Sequence, residues 1–205
     1  MAKADAAAVD ATRTRILDTA ATLFREKGYD GTSMNDLAKQ VGITAPGLYW
    51  HFPSKEDILV AYLEASMLDL LHLTGSSAAE SDPRDKLRAF VVAHVRYQVE
   101  QLDRAKVYGV VAYGHDQLKR SLGDEQQERL RGLERRHLGN LERILQEGIA
   151  AGTFDVPDLP SVAFAILAMG EHAVFWFRPG GRLTATELAD LYGDLALRMV
   201  NASAT

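Results

Sequence analysis

The chain has 205 residues, of which 47% are apolar and 25% charged, so it is long enough to bury a core without disulfides or metals. It contains no cysteine, which excludes disulfides and thiolate metal sites. The net charge is −5, but residues 11–55 carry six basic and four acidic side chains, a local net charge of +2 that favours a polyanionic partner. No segment offers about 18 uninterrupted apolar residues, so we expect a cytoplasmic protein without a membrane partner.

Apolar residues recur at helical spacing along the chain, and no stretch shows the sustained alternation of a strand. This pattern predicts an all-α protein of about nine helices. Residues 1–11 are rich in alanine and aspartate and are expected to form a disordered tail. The first helix is expected over residues 12–27, and Gly28 ends it as a C-terminal glycine.

Three later helix starts are marked by a hydroxyl side chain followed three residues on by a carboxylate, the pattern of a capping box. These pairs are Ser33 with Asp36, Ser54 with Asp57, and Thr184 with Glu187. Between the first two pairs, a tight turn at residues 42–44 leads into a short helix over residues 45–51. Residues 74–82 are small and polar and predict a loop, and further helices are expected over the following ranges: 83–102, 105–118, 124–151 and 158–177.

The strongest functional signal lies between residues 32 and 55. Two short helices joined by a glycine-containing turn form a helix-turn-helix, whose second helix enters the major groove of DNA. That helix begins with small residues, which let its backbone approach base edges. Tyr49 and His51 can donate hydrogen bonds to phosphate oxygens, and Trp50 can contact thymine methyl groups.

This segment resembles the TetR family of bacterial transcriptional regulators. The matching residues are Phe24, Gly28, Thr32, Ser33, Leu37, Ala38, Val41, Gly42, Ile43, Thr44, Gly47, Leu48, Tyr49, His51, Phe52, Ser54, Lys55, Glu56 and Leu59. The resemblance implies a DNA-binding domain over residues 12–60 and a helical ligand-binding and dimerisation domain over residues 61–205. It also implies a homodimeric repressor that binds a palindromic double-stranded operator and is released by a small hydrophobic or acyl-CoA-type inducer. Residues 176–184 are similar to an actinobacterial subgroup that senses acyl-CoA thioesters.

The resemblance also assigns DNA contacts to the start of the second helix, to the recognition helix and to the lysine that follows it. The residues concerned are Thr32, Ser33, Thr44, Ala45, Pro46, Gly47, Tyr49, Trp50, His51 and Lys55. Family members often have a polar or basic residue where this chain has Pro46. We therefore expect more apolar and shape-based readout than is usual in the family.

The C-terminal domain offers candidate ligand contacts where aromatic or polar side chains interrupt apolar helix faces. These are His94, Tyr97, Tyr108, Tyr113, Met169, Glu171, His172 and Trp176. Each can instead be a core residue, and Glu171 and His172 can anchor a ligand, bridge a dimer interface or pair with neighbours. The last two helices are expected to form the dimer interface. Its candidate residues are Phe164, Leu167, Val174, Leu188, Leu191, Leu195 and Met199.

Two other functions remain open on the sequence. A constitutive helix-turn-helix protein without a ligand would have a solid core in its middle helices. A helical metal-dependent enzyme would have to use scattered histidines, and none of the usual metal-binding or catalytic spacings occurs. We expect no enzyme activity, no cofactor and no metal.

Overall fold

The computed structural model describes residues 2–102, 105 and 122–200, and it describes the side chains of these residues except 2–10 and 78. This part of the chain confirms the all-α prediction: it holds eight α-helices and one short 3-10 helix, and no strand. The α-helices are α1 (Ala2–Lys27), α2 (Met34–Val41), α3 (Ala45–His51), α4 (Lys55–Gly75), α5 (Pro83–Glu100), α6 (Asp124–Ala150), α7 (Leu159–Trp176) and α8 (Ala185–Met199). The 3-10 helix is Ser76–Ala79. The expected helix over residues 105–118 lies outside the described residues apart from Ala105.

The predicted helix caps are present. Ser33, Ser54 and Thr184 each accept a hydrogen bond from the backbone N–H three residues later. A cap of this kind stabilises a helix by about 1 kcal/mol. Gly28 and Gly42 end α1 and α2 with φ of 75° and 79°, a conformation that glycine adopts without steric strain.

Two segments differ from the sequence prediction. The tail over residues 1–11 was expected to be disordered, but α1 already begins at Ala2. Residues 2–11 contain six alanines and neither glycine nor proline, so nothing in this stretch interrupts a helix that alanine favours. Part of the predicted loop over residues 74–82 forms the 3-10 helix, in which the Ser77 hydroxyl donates to the Thr74 carbonyl at 2.8 Å.

The described residues form two compact units. The first contains residues 2–66 and 122–130, and the second contains residues 67–102, 105 and 131–200. The sequence placed the domain boundary at residue 60, whereas the units divide at residue 66 and the beginning of α6 belongs to the first unit. Leu122 and Leu130 are buried in the core of that unit. Gln126 and Arg129 bind α4 there, with hydrogen bonds of 3.0 Å to Asp57 and 2.7 Å to Glu64.

Each unit has its own apolar core. In the first unit the inner faces of α1 to α4 supply most of it, together with Leu122 and Leu130. Its largest fully buried side chains are Ile16, Leu37, Leu48, Phe52, Ile58, Leu59, Tyr62 and Leu63. In the second unit α5 packs against α7 and α8. Arg88 ties α5 to α8 through ion pairs of 2.9 Å with Asp190 and 3.0 Å with Asp194.

Among the described residues, two helices, α4 and α7, are long and apolar enough to cross a membrane by length and composition alone. In α4, 56% of the apolar window is buried inside the protein, as expected for a helix that contributes to a core. In α7 the buried share is only 28%, so much of this apolar helix faces outward. Both helices carry charged residues within their apolar stretch, such as Asp69 in α4 and Glu171 in α7.

Candidate DNA-binding surface and effector unit

The recognition helix α3 has one buried face and one free face. The Thr44 hydroxyl caps it by accepting a hydrogen bond from the Gly47 N–H at 3.2 Å. Leu48 is completely buried and fixes the helix on the core of the first unit. Because Leu48 points inward, the next two side chains point outward, and Tyr49 and Trp50 are 50% and 70% exposed. Such exposure of two large aromatic rings marks an interaction surface.

Arg13 of α1 holds the end of α3. Its Nη1 donates to the His51 carbonyl at 3.2 Å, and the guanidinium lies 4.0 Å from the centre of the Phe52 ring. A cation over an aromatic ring contributes about 0.5–1 kcal/mol at an exposed site. The His51 ring in turn packs edge-on against Trp50, with centroids 4.7 Å apart. Sequence reasoning missed Arg13, and no local signal reveals a contact between residues 38 positions apart.

Lys55 is engaged inside the first unit. Its Nζ donates to the backbone carbonyls of Tyr29 at 2.7 Å and Thr32 at 2.9 Å, and lies 4.1 Å from the centre of the Tyr29 ring. The Tyr29 hydroxyl donates to Glu56 at 2.8 Å, and burial together with that carboxylate raises the pKa of Tyr29, so its hydroxyl stays protonated. Lys55 therefore fastens the loop before α2 onto α4 and keeps one of its three N–H donors for another partner.

Thr32 requires a correction to the predicted DNA contacts. Its side chain is buried, and its hydroxyl donates within the protein to the Gly28 carbonyl at 2.8 Å and the Leu23 carbonyl at 3.3 Å. The Thr32 side chain therefore stabilises the connection between α1 and α2 and does not reach outward. The other predicted contacts are at least partly accessible: Ser33, Thr44, Pro46, Tyr49 and Trp50 are exposed, and Ala45, Gly47, His51 and Lys55 are half-buried.

Two histidines form a buried pair in the second unit. Nδ1 of His94 on α5 lies 3.1 Å from Nε2 of His137 on α6, and the Phe90 ring stacks on His137 with centroids 5.1 Å apart. The two histidines are 1% and 3% exposed. Burial lowers the pKa of both, and the neighbouring His94 lowers that of His137 further, so both rings are neutral near pH 7. His94 is among the candidate ligand contacts predicted from the sequence, whereas His137 is not.

The other candidate ligand residues do not converge on this pair. Tyr97 lines a separate groove of about 830 Å³ along α5, the end of α4 and the 3-10 helix. Met169 and Glu171 are half-buried, while His172 and Trp176 are exposed on α7. Tyr108 and Tyr113 lie outside the described residues.

Three of the predicted dimer residues belong to the core of the chain itself. Leu167, Val174 and Leu188 are buried, because α5 packs against the inner sides of α7 and α8. The sequence could not separate the two sides of α7, which is apolar almost all round. The outward apolar side chains of these helices are Phe164, Phe175, Trp176 and Leu191, with Leu195 and Met199 half-buried beside them.

Comparison with known proteins identifies the family. Residues 16–62 match the model of the bacterial regulatory proteins of the tetR family, and residues 80–200 match the model of the tetracyclin repressor-like C-terminal domain. The chain belongs to the TetR family. Members of the TetR family are DNA-binding transcriptional regulators rather than enzymes, so the helix-turn-helix of α2 and α3 is a DNA-binding motif.

Individual TetR-family proteins resemble the chain over most of its length. It is 32% identical over 187 residues to the HTH-type transcriptional repressor KstR2 of Rhodococcus jostii strain RHA1, which covers 90% of this chain and 89% of KstR2. The crystal structure of the regulator PfmR from Thermus thermophilus matches with a TM-score of 0.79 and 36% identity, over 90% of this chain and 97% of PfmR. AibR in complex with isovaleryl coenzyme A and operator DNA shares the fold, with a TM-score of 0.78 and 24% identity over 94% of this chain and 100% of AibR.

Proposed function

We propose that this TetR-family protein is a cytoplasmic, ligand-responsive repressor that binds a palindromic operator as a homodimer. A small hydrophobic or acyl-CoA-type inducer releases it from DNA. The observation that carries the proposal is the exposed aromatic face of α3, capped at Thr44 and anchored by Leu48. The similarity of the whole chain to the repressor KstR2 supports repression rather than activation. The acyl-CoA complex of AibR supports the class of inducer.

Operator reading would depend chiefly on apolar contact. The sequence of α3, APGLYWH, contains no arginine, lysine, asparagine or glutamine, the side chains that form bidentate hydrogen bonds with guanine or adenine. Trp50 is the most exposed large side chain of this helix, and an indole ring can pack against thymine methyl groups. The hydroxyl groups of Thr44 and Tyr49 would position the helix by binding phosphate oxygens, and DNA shape would supply further discrimination.

A second copy of the chain would cover the outward apolar residues of α7 and α8. Phe164, Phe175 and Leu191 are each exposed, and they lie on the last two of the described helices. Two copies joined there form a four-helix bundle about a two-fold axis. That symmetry suits a palindromic operator, in which two recognition helices enter major grooves roughly 34–36 Å apart.

Inducer binding in the second unit would alter the spacing of the recognition helices. Helix α4 is continuous from Lys55 to Gly75, and its residues belong to the first unit up to residue 66 and to the second unit beyond it. A shift of this helix would therefore transmit inducer binding directly to the DNA-binding unit. The inducer releases the operator only to the extent that it binds the DNA-free conformation more tightly.

A gel-shift assay with the DNA upstream of the protein's own gene tests the proposal. We expect a specific shift that weakens when acyl-CoA thioesters or related hydrophobic compounds are added. A shift that none of these compounds relieves would favour the constitutive DNA-binding alternative. Absence of any specific shift would contradict the proposed function.

The role of Trp50 is tested separately with modified operators. Replacing thymine by deoxyuridine removes a methyl group and leaves base pairing intact. Wild-type protein is expected to lose affinity for the substituted operator, whereas Trp50→Ala, already weakened, should lose little more. An equal loss in both proteins would show that Trp50 does not contact the methyl groups.

A further inference from the structure

The buried histidine pair leaves two hydrogen-bonding atoms unused. His94 and His137 share one hydrogen bond, and among the described residues no group hydrogen-bonds Nε2 of His94 or Nδ1 of His137. Leaving a buried polar atom unpaired is unfavourable by roughly 1–3 kcal/mol. An apolar pair in the same core would avoid this loss, so stability alone does not account for two imidazoles at this place.

The surroundings of His94 fix where the protons lie. Its Nε2 sits 2.8 Å from the position that a Cβ at Gly170 would occupy, so α7 closes this end of the pair. The backbone of Leu167 acts as an acceptor toward the His94 ring. Because Nδ1 of His94 is directed at His137, Nε2 is the ring nitrogen left for this contact, which does not reach the geometry of a hydrogen bond. A proton on Nε2 is favoured beside an acceptor, because a bare lone pair there would be repelled.

The proton on Nε2 of His94 determines which of the other ring nitrogens carry a proton. A neutral imidazole carries one N–H. Nδ1 of His94 is therefore an acceptor, and the Nε2–H of His137 donates a hydrogen bond to it. Nδ1 of His137 is then left as a bare acceptor. It is buried, and the Phe90 ring stacks on the imidazole that carries it. This atom can accept a proton donor, but its neutral ring offers no charge to a carboxylate or phosphate.

We propose that Nδ1 of His137 is the polar anchor of the effector and accepts a hydrogen bond from a neutral donor, either a hydroxyl or an amide N–H. This inference rests on the proposed function in one respect, namely that the second unit binds a small, largely apolar molecule. It adds the chemistry of the group that is recognised. His94 is a positioning residue, because it holds His137 in the accepting tautomer.

Nitrogen NMR of the full-length protein labelled with ¹⁵N-histidine tests the anchor without any substitution. The probes are octanol and octanamide, which carry a donor, and octyl methyl ether and octanoate, which do not. We expect the two donors to bind about three- to tenfold more tightly, the increment of one neutral hydrogen bond. Their binding should move the Nδ1 signal of His137 and leave that of the exposed His72 unchanged.

Substitutions distinguish an anchor at His137 from binding elsewhere in the second unit. His137→Leu should abolish the preference for donors, whereas His72→Leu, a change in the groove beside α5, should retain it. The proposal is overturned if no donor probe binds, if octanoate or the ether binds equally well, or if binding leaves the His137 signals unmoved. Loss of binding in His72→Leu would also overturn it, by placing the ligand in the groove. None of these measurements uses DNA, so failure of operator binding remains a distinct result.

Discussion

Acid should destabilise the second unit through the histidine pair. Both rings are neutral in the folded protein, and burial lowers the pKa of His94 to about 4 from an ordinary value of 6.5. The unfolded chain therefore binds protons that the folded chain does not as the pH falls below 6.5. The contribution of the pair to the free energy of unfolding is fully present above this pH and is lost progressively as the pH decreases toward 4. A histidine whose pKa is lowered in this way decreases the free energy of unfolding by about 2 kcal/mol between pH 7 and pH 5. The pair therefore decreases it by about 4 kcal/mol.

Urea unfolding at pH 7 and pH 5, followed by circular dichroism, measures this loss. The double variant His94→Leu, His137→Leu should lose about 4 kcal/mol less than the wild type over the same interval, since all other titrating groups are shared. His72→Leu removes an exposed histidine and should retain the wild-type dependence on pH. If the wild type and the double variant lose equal stability, the two histidines do not form a buried neutral pair.

Three further predictions concern single residues. Lys55→Ala should lower the free energy of unfolding by about 1–3 kcal/mol and weaken operator binding, because the loop before α2 loses its attachment. The control Lys39→Ala, at an exposed site, should leave the free energy of unfolding unchanged. Gly170→Ala should destabilise the protein by about 1–3 kcal/mol in urea titrations, because the methyl group would lie 2.5 Å from Cδ2 of His94, whereas Gly139→Ala meets nothing and should be neutral or stabilising. Leu191→Glu should shift the protein from dimer to monomer in analytical ultracentrifugation; a dimer that persists unchanged would place the interface elsewhere.

Features encoded by neighbouring residues could be predicted from the sequence. The caps at Ser33 and Thr44 and the glycine at residue 42 each act within one turn, so the helix-turn-helix and its exposed face follow from local chemistry. The composition of residues 1–11 suggests a tail and does not predict the helical start of α1, although alanine favours a helix.

Features that depend on distant partners could not be predicted. The partners of Lys55 lie 23 and 26 positions away, and His94 and His137 are 43 positions apart. Hydrophobic periodicity identifies a buried face but not the residue that meets it. On α7, which is apolar almost all round, periodicity does not even identify the face. The sequence therefore predicts Leu167 and Val174 in the dimer interface, although both are buried within the chain.

The DNA-binding unit is not made by the N-terminal segment alone, because residues before and at the start of α6 belong to it. Leu122 and Leu130 complete its core, and Arg129 binds Glu64 on α4, although these residues follow the recognition helix by more than one complete helix. A polypeptide cut after residue 66 would expose the apolar surface that they cover. Exchange of operator specificity between relatives is therefore better achieved by grafting the outer residues of α3 than by transplanting the whole N-terminal segment.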